Sequence, residues 1–143
     1  MRIEQLEFNE DVEKLLKDAD LHFLDLRNSK KIQLFGLRVD ANLIGIVGVE
    51  PYGATGLLRS LAVLKSARKS GYGKALVEGA EAWALDKGIR SLYLLTATAA
   101  DFFSRIGYEV VPRTLAPVSI AGTDQFADLC PLSAVFMRKN IDG

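Results

Sequence analysis

The chain of 143 residues has one cysteine, one histidine, four prolines and no excess of either charge, with 18 Lys plus Arg against 18 Asp plus Glu. A single cysteine, Cys130, excludes an intrachain disulfide, and with His22 as the sole histidine there is no Cys/His cluster with zinc-site spacing. Zero formal net charge argues against a nucleic-acid binder held by bulk charge, although local patches stay open. The longest apolar run, Leu43 to Val49 with its glycines, falls far short of the ~20 residues needed to cross a bilayer. The opening MRIEQLEFNED is too acidic and too broken for a signal peptide. Pro51, Pro112, Pro117 and Pro131 are scattered rather than gathered into a linker, and no internal repeat is present. With 49% hydrophobic and 25% charged residues, the expectation is a cytoplasmic, metal-free protein folding as one domain over residues 1–143. A chain of that size buries roughly 70% of the surface it exposes when unfolded.

Pattern and turn chemistry give the element order. Arg2 to Leu6 reads as a short strand. Asn9 caps a helix running to about Ala19, with Val12, Leu15, Leu16 and Ala19 at helical spacing. Residues 20–31 carry a weaker signal, a short helix around Phe23 to Arg27. Ile32 to Val39 and Leu43 to Val49 form a hairpin about Asp40-Ala41-Asn42. A turn from Pro51 to Gly56 leads to a third strand, Leu57 to Val63. Residues 74–87 are a helix with Leu76, Ala80, Trp83 and Ala84 inward, closed by Gly88. Ser91 to Leu95 is a buried strand, Ala99 to Ile106 a helix closed by Gly107, and Tyr108 to Val111 another strand. The tail holds a helical stretch near Gln125 and a last strand, Ala134 to Arg138. A mixed α/β sheet with helices on its faces follows.

One stretch is chemically lopsided. Between Pro51 and Val77 there are five cations (Arg59, Lys65, Arg68, Lys69 and Lys74) and no acid. At its centre Arg68 to Gly73 reads RKSGYG, lying between a strand and a helix start. Gly71 and Gly73 permit left-handed backbone and put no Cβ in the way of a ligand. The helix start adds unpaired N–H groups and partial positive charge. These parts suit an anion, the natural one being a diphosphate; a solvated loop with a tight turn is the plainer alternative. The spacing fits neither a P-loop nor a GxGxxG dinucleotide turn.

The arrangement LAV-x4-RxxGxG, at Leu61-Ala62-Val63 and then Arg68, Gly71 and Gly73, resembles the acetyl-coenzyme A signature of the GNAT superfamily of N-acyltransferases. The strand LYLLT and the segment AADFFSRIGY extend the resemblance through the family's fourth helix and its glycine-aromatic ending. The tail, R-x3-P-x5-T-x-QF-x3-CP-x-SA-x2-M, is similar to the N-acetyltransferases of bacterial arsenic-resistance operons, themselves like amino-acid N-acetyltransferases. The resemblance implies a GNAT fold: a mixed, mostly antiparallel sheet with a central strand, phosphate loop, helix and strand, and helices on both faces. It implies acetyl-CoA as cosubstrate, its pantetheine arm along residues 59–63 and paired with main-chain groups of Leu61 and Val63, beside Ala62. The diphosphate falls to Arg68, Lys69, Ser70, Gly71, Tyr72, Gly73 and Lys74. It implies direct attack by a neutral amine within a ternary complex.

Two positions depart from the family pattern. Phe103 stands where the family often has a proton-donating Tyr, and Leu57 where many members carry a Glu. The nearest carboxylate is Glu50, at the end of the preceding strand, either a base in the cleft or a strand-end group in water. Strict alternation puts Arg59 on the face of Leu61 and Val63, with Ser60 on the other face beside Ala62. A guanidinium there needs an anion: a protein carboxylate such as Glu50, or the carboxylate of a bound amino acid gripped bidentately. Arg113 is a second candidate for that grip, with Thr123 to Ser133 as a lid. His22 reads better as an ordinary surface or core histidine than as a base, and Cys130 as a small buried thiol rather than a nucleophile. Trp83 and the Phe102/Phe103 pair read as core. Thr96 and Thr98 either line the cleft or cap the helix at Ala99.

The reading is an acetyltransferase acting on the amine of a small amino-acid-like molecule, with no nucleic-acid or membrane partner and with a homodimer left open. Its rivals are an acetyltransferase for polyamine, aminoglycoside or protein amines, and a non-catalytic acetyl-CoA-binding module, which Phe103 and Leu57 favour.

Overall fold

The computed structural model describes residues 2–21, 23–27, 31–68, 70–123, 126 and 134–142. Seven strands form one mixed sheet in the order β1-β2-β3-β4-β5-β7-β6: β1 (Arg2–Leu6), β2 (Gln33–Val39), β3 (Asn42–Tyr52), β4 (Thr55–Val63), β5 (Ser91–Thr96), β6 (Glu109–Val110) and β7 (Val135–Asn140). The α-helices are α1 (Glu10–Asp18), α2 (Tyr72–Asp86), α3 (Ala100–Arg105) and the short α4 (Val118–Ala121). Cα packing divides the chain into two compact units, Met1–Glu50 with Leu58–Trp83, and Pro51–Leu57 with Ala84–Gly143.

In the first unit β1, β2 and β3 form an antiparallel meander. The β2–β3 turn is tighter than the three-residue loop expected from sequence. Val39 pairs with Asn42, and both turn residues, Asp40 and Ala41, have positive φ (51° and 70°), the signature of a type I′ turn. Helix α1 starts where Asn9 Oδ1 accepts the Val12 N–H at 3.0 Å, with three acids in its first turn. Its inner residues Val12, Leu15 and Leu16 pack with Leu26, Leu34, Ile46 and Ala62. The other face of the same strands meets α2: a Cβ on Gly45 would lie 2.8 Å from Leu76 Cδ1 and 3.2 Å from Val63 Cγ2, and Phe35 meets Trp83 edge-on at 5.5 Å.

In the second unit Thr55–Leu57 pairs in parallel with Ser91–Tyr93, and β7 runs antiparallel between β5 and β6. Its core joins Leu57, Tyr93, Ile120 and Phe136, with Tyr93 stacked on Phe136 at 5.5 Å. Two glycines close helices in the same way. Ile89 N–H donates to the Ala84 carbonyl and Gly88 N–H to that of Leu85; Tyr108 donates to Phe103 and Gly107 to Ser104. Each is a Schellman ending, with left-handed φ of 88° at Gly88 and 103° at Gly107.

The boundaries correct several expectations. β3 runs on through Pro51 to Tyr52, and α2 begins at Tyr72, two residues early. A short helix lies at Val118–Ala121; the helical stretch expected near Gln125 falls outside the described residues. Helix α3 is prepared by Thr96, whose Oγ1 accepts the Ala99 N–H at 2.9 Å; Ala99 itself is the cap, and the expected capping by Thr98 is not what the backbone uses.

Candidate active site

Strand β4 is not regular. Ser60 has φ of 60°, a left-handed conformation inside a strand and in a residue other than glycine. Such a residue costs on the order of 1–2 kcal/mol, and it breaks the two-residue alternation of side chains. Arg59 therefore does not share a face with Val63. Val63 faces Leu76 of α2, whereas Arg59 reaches Asp25 on the short 3-10 turn Leu24–Arg27, whose Leu26 packs with Ala62 in the α1 cluster. The alternation expected from LLRSLAV fails at this one residue.

Arg59 is 5% exposed and Glu50 7%. The guanidinium donates through Nη2 to Asp25 Oδ1 at 3.0 Å, through Nη1 to Asp25 Oδ2 and to Glu50 Oε2 at 3.0 Å, and through Nε to Ser60 Oγ at 3.0 Å. Four of its five N–H groups are thus committed, and the two parallel donors a bidentate grip on a substrate carboxylate requires are not left. The protein-carboxylate alternative describes Arg59. Glu50 correspondingly is no strand-end group in water: β3 continues past it and it is buried on the guanidinium. Burial works against the charged guanidinium, but the hydrogen bonds and charges of Asp25 and then Glu50 outweigh it, so Arg59 titrates even higher than an ordinary arginine. Asp25 was invisible in sequence because it lies 34 residues from its partner in an unpatterned segment.

After β4 a 3-10 turn, Lys65–Ala67, leads into the loop. The exposed Arg68 folds back, its Nε donating to the Val63 carbonyl at 3.2 Å. Lys69 lies outside the described residues, and Ser70, Gly71 and Lys74 are exposed. Gly71 has φ of 79°, and a Cβ there would meet nothing within 4 Å. Its carbonyl accepts the Ala75 N–H at 3.1 Å, the first bond of α2, so the amides of Tyr72, Gly73 and Lys74 lack an intrahelical acceptor. Gly73 is helical, so left-handed freedom is required at Gly71 alone. Three amides with no acceptor among the described residues, the positive end of a helix of 15 residues and an open approach suit a diphosphate.

The remaining candidates fall elsewhere. Phe103 is buried and meets Tyr108 edge-on at 5.5 Å, the hydrophobic contact of the Schellman ending of α3. Leu57 is fully inside the second unit's core. Arg113 Nη2 donates to the Ala134 carbonyl at 2.8 Å, and its guanidinium lies over Phe126. Thr123 is buried, its hydroxyl donating to the Ile120 carbonyl at 2.7 Å; His22, Cys130 and most of the proposed lid, 124–125 and 127–133, lie outside the described residues. Among the described residues no group of acids, histidines and cysteines could hold a metal ion, and no helix is long and apolar enough to cross a membrane.

The profile of the acetyltransferase (GNAT) family matches residues 1–108. The chain belongs to the GNAT acetyltransferase family. Acetyl-CoA is the acyl donor of GNAT enzymes. An uncharacterised N-acetyltransferase of Chlorobaculum tepidum is 40% identical over 63 residues, 44% of this chain and 40% of that relative. The chain thus matches less than half the length of that curated relative. Among solved structures, the N-acetylglutamate synthase of Neisseria gonorrhoeae, complexed with coenzyme A and N-acetyl-glutamate, superposes with a TM-score of 0.77 at 15% identity, covering 99% of this chain and 35% of that one. An aminoglycoside 6'-N-acetyltransferase complexed with coenzyme A gives 0.75 at 19% identity, covering 99% and 97%. At these identities the likeness is one of fold.

Proposed function

We propose that this GNAT chain transfers the acetyl group of acetyl-CoA to the amine of a small, amino-acid-like acceptor, by direct attack in a ternary complex. The observation that carries the reading is the start of α2, where the amides of Tyr72, Gly73 and Lys74 have no acceptor among the described residues and stand beside left-handed Gly71 in a stretch of five cations without an acid. Each such amide contributes on the order of 1.5–3 kcal/mol to a charged phosphate oxygen, enough for three or four to support micromolar binding. In this reading the pantetheine arm follows Leu61, Ala62 and Val63, the diphosphate rests on residues 68–74 with Lys69 and Lys74 as cationic partners, and Arg68 contributes mainly through its backbone.

The acceptor class rests on amine basicity. An α-amine with pKa near 8 is about 10% neutral at pH 7, whereas a lysine amine near 10.4 is only about 0.04% neutral. A site whose one buried carboxylate on β3, Glu50, is tied to a guanidinium favours the amine that sheds its proton readily, with Glu50 taking that proton directly or through a water. A thiolate leaves without an acid at modest cost, so Phe103 is compatible with turnover. The tail spacing from Arg113 to Met137 supports the narrower reading that the chain belongs with the N-acetyltransferases of arsenic-resistance operons.

Thiol release from acetyl-CoA, measured across matched pairs of amino acids, their decarboxylated amines and polyamines, tests the acceptor class. Turnover concentrated on amino acids is expected. Faster turnover of polyamines or aminoglycosides would replace the amino-acid reading.

A further inference from the structure

We propose that the Ser60 hydroxyl is a catalytic group of this enzyme, a hydrogen-bond donor to the thioester carbonyl oxygen of acetyl-CoA as negative charge develops there. The inference rests on the reading that the cosubstrate lies along Leu61 to Val63, since Ser60 is the adjoining residue of the same strand.

Three observations converge on this hydroxyl. Ser60 holds φ of 60° within β4, a conformation that glycine adopts readily and serine does not, so the serine is kept where the backbone alone prefers its removal. Arg59 Nε donates to Ser60 Oγ at 3.0 Å. The oxygen is therefore the acceptor on that side, and its own proton points elsewhere; among the described residues no acceptor takes it. The donor, finally, is a guanidinium locked by Asp25 and Glu50, buried together with Glu50 and with Asp25 half-buried beside it. A charged donor on the oxygen polarises the O–H bond and makes it a stronger donor in turn. Asp25, Glu50 and Arg59 then act on the reaction through Ser60, and Arg59 is a positioning residue.

A donor is the fitting role, not an acid. A serine hydroxyl is far too weak an acid to protonate a thiolate whose conjugate acid has a pKa near 8.5. Nor does it need to. The nucleophile's nitrogen bonds to the carbonyl carbon, and the carbon–sulfur bond breaks with its electron pair going to sulfur. The proton lost by the amine passes to Glu50, directly or through a water, and from there to solvent. Ser60 keeps its proton throughout and only follows the charge on the oxygen.

Ser60→Gly and Ser60→Ala test this, with acetyl-CoA affinity read by calorimetry and thiol release followed with water alone and with mixed amino acids as nucleophile. Ser60→Gly relieves the backbone but takes the acceptor from the buried Arg59 Nε, two effects of similar size and opposite sign, so its melting temperature is expected to stay close to that of the wild type. Both variants are expected to bind acetyl-CoA as the wild type does and to release thiol roughly 100-fold more slowly with either nucleophile. A purely structural serine predicts no such split between stability and rate. Ser60→Gly turning over within about threefold of wild type overturns the proposal, as does a matching loss of rate and acetyl-CoA affinity. A wild type that binds no acetyl-CoA overturns the cosubstrate reading beneath it, whereas intact binding with an unchanged rate overturns only the role of Ser60.

Discussion

Asp25 holds Arg59 with both of its carboxylate oxygens, although 34 residues of chain separate them. The same guanidinium binds Glu50 at 3.0 Å. Arg59→Met leaves the buried Glu50 and the half-buried Asp25 without their shared cation, and breaking a buried pair in this way costs about 3–5 kcal/mol. Asp25→Asn, which keeps the shape and part of the hydrogen bonding, is expected to cost about 1–3 kcal/mol. Urea unfolding of the two variants measures both; a loss below about 1 kcal/mol for Arg59→Met would show that the cluster does not hold the fold.

Backbone sign predicts two opposite effects. Gly88 is left-handed with open space where a Cβ would go, so Gly88→Ala carries pure conformational strain and is expected to cost about 1 kcal/mol. Ala41 sits at φ of 70° in the β2–β3 turn, and Ala41→Gly is expected to stabilise by about 0.5–1 kcal/mol, the type I′ turn preferring glycine there. Thermal unfolding of the pair should move in opposite directions.

The acid limb of stability has a named contributor. The Arg38 hydrogen bond holds the Glu4 carboxyl below its usual range. A carboxyl depressed on folding adds stability above its unfolded value, near 4.5, and loses it as pH falls through the lower folded value. Glu4→Gln should therefore match wild type most closely in strong acid and fall behind it as pH rises to neutral. An unchanged difference across the range would remove Glu4 from the account.

The role of Glu50 in the reaction is separable from its role in the fold. Glu50→Gln keeps a hydrogen-bonding group for Arg59 while removing the base. If Glu50 takes the amine's proton, kcat should drop roughly 10²-fold or more. An unchanged rate would make Glu50 structural and solvent the base.

Much of the fold was legible because local signals agreed with it. Asn9 announced α1, Asp40 and Ala41 the hairpin, and Gly88 and Gly107 the helix endings, each through contacts a few residues apart. The left-handed turn at Gly71 before α2 was legible for the same reason, whereas Gly73 was absorbed by the helix. What escaped was non-local or unsignalled. The left-handed Ser60 carries no glycine to mark it, so the alternation of LLRSLAV misassigned the face of Arg59. Asp25 could be joined to Arg59 only by the folding of the sheet. Phe103, a loss when read against a proton donor, is a packing residue when read against Tyr108.

The most direct test of the account is calorimetric titration of acetyl-CoA into the wild type, Gly71→Val and Gly73→Ala. Left-handed backbone at Gly71 and helical backbone at Gly73 predict micromolar binding by the wild type, a loss of tenfold or more in Gly71→Val, and a much smaller loss in Gly73→Ala. Binding by a folded Gly71→Val as tight as wild type would contradict the claim that the start of α2 holds the cosubstrate's diphosphate.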